Sequence, residues 1–402
     1  MEFKDFGLHH KLLEGIDGIG YKEATPVQEQ VIPIILSGKD LIASAQTGTG
    51  KTAAFLLPII HKILAANEDE HIHALIIVPT RELAMQIARQ LDGISYFTSV
   101  SSLAIYGGGD GSSFETEKKA LSHGADIIIC TPGKMLSHLN MGYVKVKELK
   151  YLILDEADRM LDMGFNEDIM KIISFLPKKR QNLLFSATMP HKMRELARKI
   201  LHHPEEINIA VSKPADEITQ EAFIVYDVQK IPLVTHLLKE KNLPCVLIFC
   251  STILSVKQLF RELKQAKFNV EAIHSDLDQS DREKVLSGFT NRRTTILVAT
   301  DVLSRGIDIQ DIDLVINYDV PHDGEDYIHR IGRTARAKTK GEAITFVNQK
   351  EQGKFARIET LLGYPVTKLK VPEQFGEVPL YEPLKNKTHS KGKRGPFKKK
   401  RS

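Results

Sequence analysis

Residues 45–52 constrain the fold of this chain more than any other stretch. They read Ala-Gln-Thr-Gly-Thr-Gly-Lys-Thr, after a short apolar run at 41–43 and before a helical pattern from Thr52 to about Leu64. A strand, a glycine turn and a helix in this order direct backbone N–H groups at phosphate oxygens, and the helix start adds partial positive charge. We therefore predict a phosphate-binding loop, in which Lys51 reaches the β- and γ-phosphates and the Thr52 hydroxyl helps to hold Mg²⁺.

The alternative for this stretch is a glycine-rich turn between a strand and a helix that binds nothing. Ala45 also departs from the general pattern, which prefers glycine there. We favour the nucleotide site because the strand and helix context is present. The residues expected around the nucleotide phosphates are Ala45, Gln46, Thr47, Gly48, Thr49, Gly50, Lys51 and Thr52.

Length and composition describe an ordinary globular protein of more than one domain. The 402 residues suggest two or three domains, and 42% hydrophobic with 26% charged residues is typical of soluble proteins. No apolar run approaches the roughly 18 residues of a membrane span, and the charged N-terminus lacks a signal-peptide core. The three cysteines lack metal-ligand spacing. We expect a cytoplasmic protein with reduced thiols and no membrane partner.

Charge is concentrated at the C-terminus. The last 18 residues, from Lys385, carry nine Lys or Arg and no Asp or Glu, so the rest of the chain is mildly acidic within a total of +4. A basic arm of this kind commonly meets nucleic acid, although a tail that only improves solubility is the alternative. Its composition predicts disorder in the absence of a partner.

Short apolar runs alternate with helical segments along almost the whole chain. Their near-continuous Ile, Leu and Val content is typical of strands buried on both faces of a parallel sheet. Two such series predict an α/β protein with two tandem domains, each a parallel sheet flanked by helices. We predict the first domain at 30–210, a linker at 211–217, the second domain at 218–370 and a basic tail at 371–402. The expected strands are Leu41–Ala45, Ala74–Val78, Leu103–Tyr106, Asp126–Cys130, Tyr151–Leu154, Asn182–Phe185 and Ile207–Val211, then Pro244–Cys250, Val270–His274, Thr294–Ala299, Asp313–Tyr318 and Glu342–Val347.

Polar clusters follow directly after several of these strands, where open parallel sheets bind their ligands. Asp155 and Glu156 come after one of them: Asp155 would hold the Mg²⁺ shell, and Glu156 would orient and deprotonate the attacking water. Adjacent acids at a strand end are more often a helix cap when they stand alone. A nucleotide loop earlier in the same chain makes the catalytic interpretation much stronger.

Phosphoryl transfer also needs cations against the charge that develops on the γ-phosphate. The segment 327–336 carries three arginines in seven residues, and Arg333 and Arg336 would share one helix face. A solvated basic helix is the alternative. Because the segment lies in the second block, these arginines would act only after the two domains close, which would couple hydrolysis to closure.

Together these motifs resemble the DEAD-box RNA helicase family over roughly residues 3–370. The resemblance is carried by the motifs Ala45–Thr52, Pro79–Ala84, Thr131–Lys134, Asp155–Asp158, Ser186–Thr188, Gln279–Arg282, Ala299–Asp308 and His329–Arg336. It implies two RecA-like domains, ATP as the nucleotide, RNA as the substrate, and local strand separation driven by an ATP-dependent closure cycle.

The resemblance also implies roles for individual residues. Residues 1–29 look like the family's adenine-reading motif, in which Gln28 would hydrogen-bond adenine and Phe3 would stack on it; for Phe3 an ordinary buried anchor is the alternative. Gly306 and Asp308 would lie at the ribose. The implied coupling residues are Ser186, Thr188 and His329, and the implied contacts to the RNA backbone are Thr80, Arg81, Gly108, Thr131, Gly133, Gln279, Arg282 and Thr300. Contacts of this kind carry little sequence information, so RNA binding should be largely sequence-independent.

The match has departures. Ala24 replaces a proline, Ala335 a glycine, the pair at 303–304 two small residues, and Lys134 an arginine. Lys134 keeps the charge but loses the bidentate fork. Two rival functions stay open: a DNA translocase of the same superfamily, and an ATP-gated RNA clamp with little unwinding. A monomer is expected, and protein partners from ribosome assembly or RNA decay are both compatible with the family.

Overall fold

A computed structural model describes residues 1–45, 49–66, 72–108, 111–208, 218–300, 312–322, 324–334 and 341–383, with the backbone alone at 111–113, 279 and 325. The chain divides into two compact units, the first mainly Met1–Lys213 and the second mainly Pro214 onward. The predicted linker at 211–217 and the basic residues from 385 lie outside the described residues.

The first unit is a parallel sheet between two layers of helices. Its strands stand in the order β3-β4-β2-β5-β6-β1-β7, and every neighbouring pair is parallel. The strands are β1 (Leu41–Ser44), β2 (Ala74–Ile77), β3 (Ser102–Ile105), β4 (Ile127–Cys130), β5 (Tyr151–Leu154), β6 (Gln181–Ser186) and β7 (Glu205–Asn208). The helices are α1 (His10–Gly18), α2 (Pro26–Leu36), α3 (Lys51–Ala66), α4 (Arg81–Ile94), α5 (Gly111–His123), α6 (Pro132–Asn140), α7 (Ala157–Asp162), α8 (Asn166–Phe175) and α9 (His191–Ile200), with a 3-10 turn at Phe3–Phe6.

The chain beyond β7 repeats this arrangement. A second parallel sheet has the order β10-β11-β9-β12-β13-β8-β14. Its strands are β8 (Ile218–Ile224), β9 (Val246–Cys250), β10 (Val270–Ile273), β11 (Ile296–Thr300), β12 (Leu314–Asn317), β13 (Gly341–Val347) and β14 (Thr367–Leu369). The helices are α10 (Asp227–Lys241), α11 (Ile253–Gln265), α12 (Gln279–Thr290), α13 (Gly324–Ile331) and α14 (Gln352–Leu362), with a 3-10 turn at Glu373–Phe375. The prediction of two tandem α/β domains, each a parallel sheet flanked by helices, is confirmed.

The strands are buried because helices cover both faces of each sheet. Every residue of β2, β4 and β9 is buried, as the unbroken apolar runs predict. The helix after the phosphate loop, α3, is also buried over most of its length, and Phe55 packs on Phe185 of β6 with ring centroids 5.1 Å apart. This packing holds the start of α3 firmly against the sheet edge.

Three strands differ from the expectation. The last strand of the first sheet is Glu205–Asn208 rather than Ile207–Val211, and residues 209–211 lie outside the described part of the chain. Strands β8 and β14 have no counterpart among the predictions. Polar residues interrupt the apolar pattern of β8, and β14 is a three-residue edge strand, so neither shows a buried-strand pattern in the sequence.

Residues 371–382 lie along the second unit. The Gln229 amide donates to the carbonyl oxygens of Phe375 and Glu377 at 2.7 and 2.9 Å, and the Gln352 amide donates to that of Leu380 at 2.6 Å. Side-chain amides therefore fix the start of the segment that was predicted as a tail. In the described ranges, no helix combines the length and apolar character that crossing a membrane requires.

Candidate functional site

The phosphate loop leaves the first sheet at the carboxyl end of β1. The Ala45 amide donates to the carbonyl of Ser186 on the neighbouring strand at 3.1 Å, which continues the sheet pairing by one residue. Lys51 is the first residue of α3, and its ammonium donates to the Ala45 carbonyl at 2.7 Å. Lys51 is only 6% exposed, and its ammonium is held at the first residue of the loop. The predicted ligands Gln46, Thr47 and Gly48 lie outside the described residues.

Thr25, which caps α2, and Gln28 in its first turn support the other end of the loop. The Gln28 amide donates to the Gly50 carbonyl at 3.1 Å and accepts from the Thr25 amide at 2.9 Å. The Thr25 hydroxyl donates to the Thr49 carbonyl at 2.8 Å. Gly50 has φ +92°, and a Cβ there would stand 2.5 Å from Gln28 Nε2, so this position requires glycine. Helix α2 therefore holds the backbone of residues 49–50 directly.

This role of Thr25 and Gln28 was missed by the sequence reasoning, which assigned Gln28 to adenine. The signal was present as the capping-box spacing of Thr25 and Gln28 at the start of α2. Phe3, the predicted stacking partner of adenine, is 3% exposed and lies against Tyr21 and Phe6 with ring centroids 6.3 and 6.2 Å apart. Contact of Gln28 or Phe3 with adenine stays a prediction.

Asp155 and Glu156 follow β5 at the same edge of the sheet. Asp155 is 3% exposed, and its amide donates to the Ile77 carbonyl of β2 at 3.0 Å. Burial raises the pKa of Asp155 to about 6, while the positive charge of Lys51 opposes that rise and Glu156 adds to it. Lys51 therefore lies close enough to act on Asp155 electrostatically, which places the loop and the strand end in one site. A buried carboxylate beside a phosphate loop fits a divalent cation, which would restore the charge balance there.

Glu156 adopts a backbone conformation that is uncommon for a residue with a side chain. Its φ and ψ are 49° and 47°, and its amide donates to Asp155 Oδ1 at 2.9 Å. Left-handed backbone at such a residue costs about 1–2 kcal/mol, so the surrounding structure must enforce it. Glu156 is 8% exposed, its Oε2 lies 3.8 Å from Arg159 Nη1, and this oxygen finds no hydrogen-bond donor among the described residues. A buried carboxylate oxygen with unused acceptor capacity suits proton abstraction.

Asp158 connects this strand end to the next one. The amide and the hydroxyl of Thr188 both donate to Asp158 Oδ2 at 3.0 Å. Ser186, which is fully buried at the end of β6, donates its hydroxyl to the Thr188 carbonyl at 2.6 Å. Of the predicted coupling residues, Thr188 therefore contacts the acidic motif that contains Glu156, and Ser186 contacts Thr188.

The predicted RNA-contact residues of the first unit share one edge of the sheet. They follow β2, β3 and β4, which are adjacent strands. Thr80 caps α4 by accepting from the Leu83 amide at 3.3 Å, and the Arg81 guanidinium lies against Gly108, where a Cβ would stand 2.2 Å from Arg81 Nη1. Thr131 and Gly133 form the start of α6. The fold brings all five residues (Thr80, Arg81, Gly108, Thr131 and Gly133) to this edge.

An ionic cluster that was not predicted from the sequence joins α5 to α6. Glu117 Oε2 of α5 accepts from the Lys134 ammonium at 2.8 Å and lies 3.1 Å from His138 Nε2 of α6. The other ring nitrogen of His138 pairs with the Tyr143 hydroxyl, and Phe114 stacks on the imidazole at 5.2 Å. Lys134 and His138 are four residues apart on one helix face, which is the only trace of the cluster in the sequence.

In the second half of the chain, Thr300 ends β11 and is 7% exposed. The Arg282 guanidinium donates to the carbonyls of Leu277 and Ser275 at 3.0 and 2.6 Å, so it braces the turn that precedes α12. Gln279 begins α12, and its side chain is outside the described part. These three residues stay predictions as RNA contacts.

The arginine-rich segment divides into different environments. Arg330 is 2% exposed, donates to Asn317 Oδ1 and the Asp319 carbonyl at 3.1 Å each, and lies 5.2 Å from the Phe249 ring centroid. These contacts make Arg330 a structural residue. His329 and Arg333 are both 8% exposed at the end of α13. Arg336, Gly306 and Asp308 lie outside the described residues, so their roles stay predictions.

Comparisons with known proteins agree with this site. The family model described as DEAD/DEAH box helicase matches residues 25–196, and that of the helicase conserved C-terminal domain matches residues 229–338. The ATP-dependent RNA helicase CshA of Listeria monocytogenes is 43% identical over 89% of this chain and 68% of its own length. The ATP-dependent RNA helicase DbpA of Bacillus subtilis is 40% identical over 92% of this chain and 77% of its own length.

Solved structures give the same result. S. cerevisiae Dbp5 bound to RNA and ADP BeF3 has a TM-score of 0.82 and 31% identity, covering 92% of this chain and 95% of that one. Mss116p bound to ssRNA and AMP-PNP has a TM-score of 0.80 and 28% identity, covering 93% and 80%. Two family models that together match more than half of the chain, and relatives of 40% identity or more, lead to one conclusion: the chain belongs to the DEAD/DEAH box helicase family.

Proposed function

We propose that this protein is an ATP-dependent RNA helicase, which hydrolyses ATP to ADP and phosphate when RNA is bound. ATP-driven closure of the two RecA-like units separates short duplexes or remodels RNA–protein complexes. The observation that carries the proposal is the grouping of polar residues at one edge of the first sheet. There Lys51 binds the Ala45 carbonyl of the phosphate loop and opposes the burial-driven rise in the pKa of Asp155, while Asp158 of the same acidic strand end accepts from Thr188.

The chemistry of hydrolysis follows from the same residues. Lys51, now paired with the Ala45 carbonyl, exchanges that partner for phosphate oxygens, and the backbone held by Gln28 and Thr25 supplies N–H donors. Glu156 Oε2 accepts a proton from the attacking water. Mg²⁺ neutralises phosphate charge when it is bound, and Thr52 and Asp155 are the residues that would hold it.

Coupling to RNA runs through the acidic motif. Asp158 accepts hydrogen bonds from both the amide and the hydroxyl of Thr188. A movement of the segment that carries Glu156 and Asp158 would therefore also move Thr188, which follows β6. Arg333 and Arg336 of the second unit act as finger arginines, which complete the ATP site only on closure. His329 helps to connect the ATP site with bound RNA. Hydrolysis without closure is therefore slow.

RNA lies on the edge formed by the residues after β2, β3 and β4, and its backbone rather than its bases is contacted. Helix starts and small residues there offer backbone N–H groups and room for phosphates. Thr300, Gln279 and Arg282 add contacts from the second half. The protein acts as a cytoplasmic monomer, and it binds RNA largely without sequence preference.

Strand displacement with ATP tests the proposal directly. A short RNA duplex with a single-stranded overhang is mixed with the protein, and displaced strand and released phosphate are both followed. Lys51→Ala should abolish both signals, whereas Lys11→Ala, on an exposed part of α1, should leave both unchanged. ATP hydrolysis that ignores RNA, or displacement that persists in Lys51→Ala, would contradict the proposal.

A further inference from the structure

In the ionic cluster, the buried acid Glu117 contacts α6, the helix that starts among the predicted RNA contacts. Glu117 is 6% exposed, and one of its oxygens receives both the Lys134 ammonium and His138. Lys134 directly follows Gly133, a predicted RNA contact, in the first turn of α6. Its side chain is 19% exposed, so the cation is turned toward the protein rather than left in solvent.

We propose that Glu117 and His138 set the affinity of this edge for RNA. Glu117 and an RNA phosphate compete for Lys134, and His138 takes over the pairing with Glu117 when Lys134 binds the phosphate. The inference rests on the proposed RNA-binding function and adds two residues to it. Glu117 and His138 are positioning residues, because they act on RNA through Lys134.

The exchange is possible because the cluster holds a second base. In the ion-paired state Nε2–H of His138 donates to Glu117, and Nδ1 accepts from the Tyr143 hydroxyl. When Lys134 turns to a phosphate, Glu117 would be left buried without a cation, which is strongly unfavourable. A proton taken up at Nδ1 makes the imidazole cationic, and the Tyr143 oxygen then accepts from it. The charge of Glu117 is again balanced.

The direction of the pH effect follows from the groups around the imidazole. Burial lowers the pKa of His138 below its ordinary value, Lys134 lowers it further, and Glu117 opposes both, so the neutral ring is favoured at neutral pH while Lys134 is present. Removal of the Lys134 charge raises the pKa of His138, and RNA binding is accompanied by proton uptake. The other groups at the cluster are Phe114, which stacks on the ring, and Lys118 and Glu115, which lie near Tyr143. RNA affinity should therefore increase as the pH falls from about 8 to about 6.

Binding of single-stranded oligouridine of about ten nucleotides, with a non-hydrolysable ATP analogue present, tests the competition. Glu117→Gln should bind RNA about three- to tenfold more tightly, because Lys134 then has no ion pair to give up when it binds a phosphate. Glu115→Gln removes the same charge from an exposed position of α5 and should change affinity less than about twofold. In a Lys134→Gln background, Glu117→Gln should have no further effect.

A second variant keeps the inference testable if Glu117→Gln fails to fold. His138→Gln should bind RNA with a weaker pH dependence than the wild-type protein between pH 6 and pH 8 (roughly the range in which an imidazole titrates). Weaker binding by Glu117→Gln, or a change equal to that of Glu115→Gln, would overturn the inference. So would identical pH dependence of His138→Gln and wild type. Wild-type protein that binds no RNA at all would instead contradict the proposed function.

Discussion

The contact between Gln28 and Gly50 gives the sharpest prediction about the ATP site. Gln28→Glu keeps the size of the side chain and the acceptor for the Thr25 amide, but it places a carboxylate oxygen 3.1 Å from the Gly50 carbonyl where an N–H now donates. The substitution loses one hydrogen bond, and it leaves one oxygen of a charged group that is 3% exposed without a donor. Together these effects should lower the free energy of unfolding by about 2 kcal/mol.

Thermal unfolding measures this effect. A loss of about 2 kcal/mol corresponds to a fall of about 4–8 °C in Tm for a unit of about 200 residues. Gln30→Glu introduces the same charge on the exposed face of α2 and should leave Tm within about 1 °C.

Nucleotide binding separates the two roles of Gln28. Loss of loop support should weaken ATP and GTP alike, whereas loss of adenine recognition should weaken ATP alone. An unchanged Tm together with a changed ATP preference would refute the reasoning that Gln28 holds the loop.

Three further predictions concern the acidic strand end. Glu156→Gln should keep ATP binding and slow hydrolysis at least 100-fold (about the lower end of the range for removal of a general base), leaving a long-lived complex on RNA; rapid release from RNA with ATP would count against Glu156 as the base. Thr188→Val should lower the unfolding free energy by about 1–2 kcal/mol, since one of two bonds to a charged acceptor is lost, and should reduce strand displacement more than ATP hydrolysis; equal losses would remove Thr188 from coupling. Burial raises the pKa of Asp155 from 3.8 to about 6, so ionising this group opposes folding. The free energy of unfolding should therefore fall by about 3 kcal/mol through Asp155 as the pH rises from about 4 to about 6. Denaturant unfolding of Asp155→Asn and wild type across that range should show that the variant lacks this decrease.

The sequence predicted the elements whose signal is local. The apolar runs that became β2, β4 and β9 are unbroken, and the glycine turn stands between a strand and a helix as expected. Strand β8 was missed because its burial depends on neighbours β13 and β14, which lie more than 100 residues further along the chain. Polar positions in such a strand do not stand out in one sequence.

In the candidate site, too, residues with a local sequence signal were predicted and contacts between distant residues were not. Lys51, Asp155 and Glu156 were found because their residue types and spacing express the chemistry directly. The support of Gly50 by Gln28 and the pairing of Lys134 with Glu117 depend on contacts across 22 and 17 residues of chain. The side chains that make these contacts have ordinary surface character in the sequence. Contacts of this kind become visible only when the helices are placed on the sheet.

Closure of the two units is the central claim, and single-molecule energy transfer between one dye on each unit measures it most directly. The dyes can be attached at engineered cysteines in exposed positions, since Cys130, Cys245 and Cys250 are buried. The account predicts a high-transfer state that is populated only when RNA and a non-hydrolysable ATP analogue are both present, and that is lost in Lys51→Ala. A transfer efficiency that does not change when both ligands are added would contradict it.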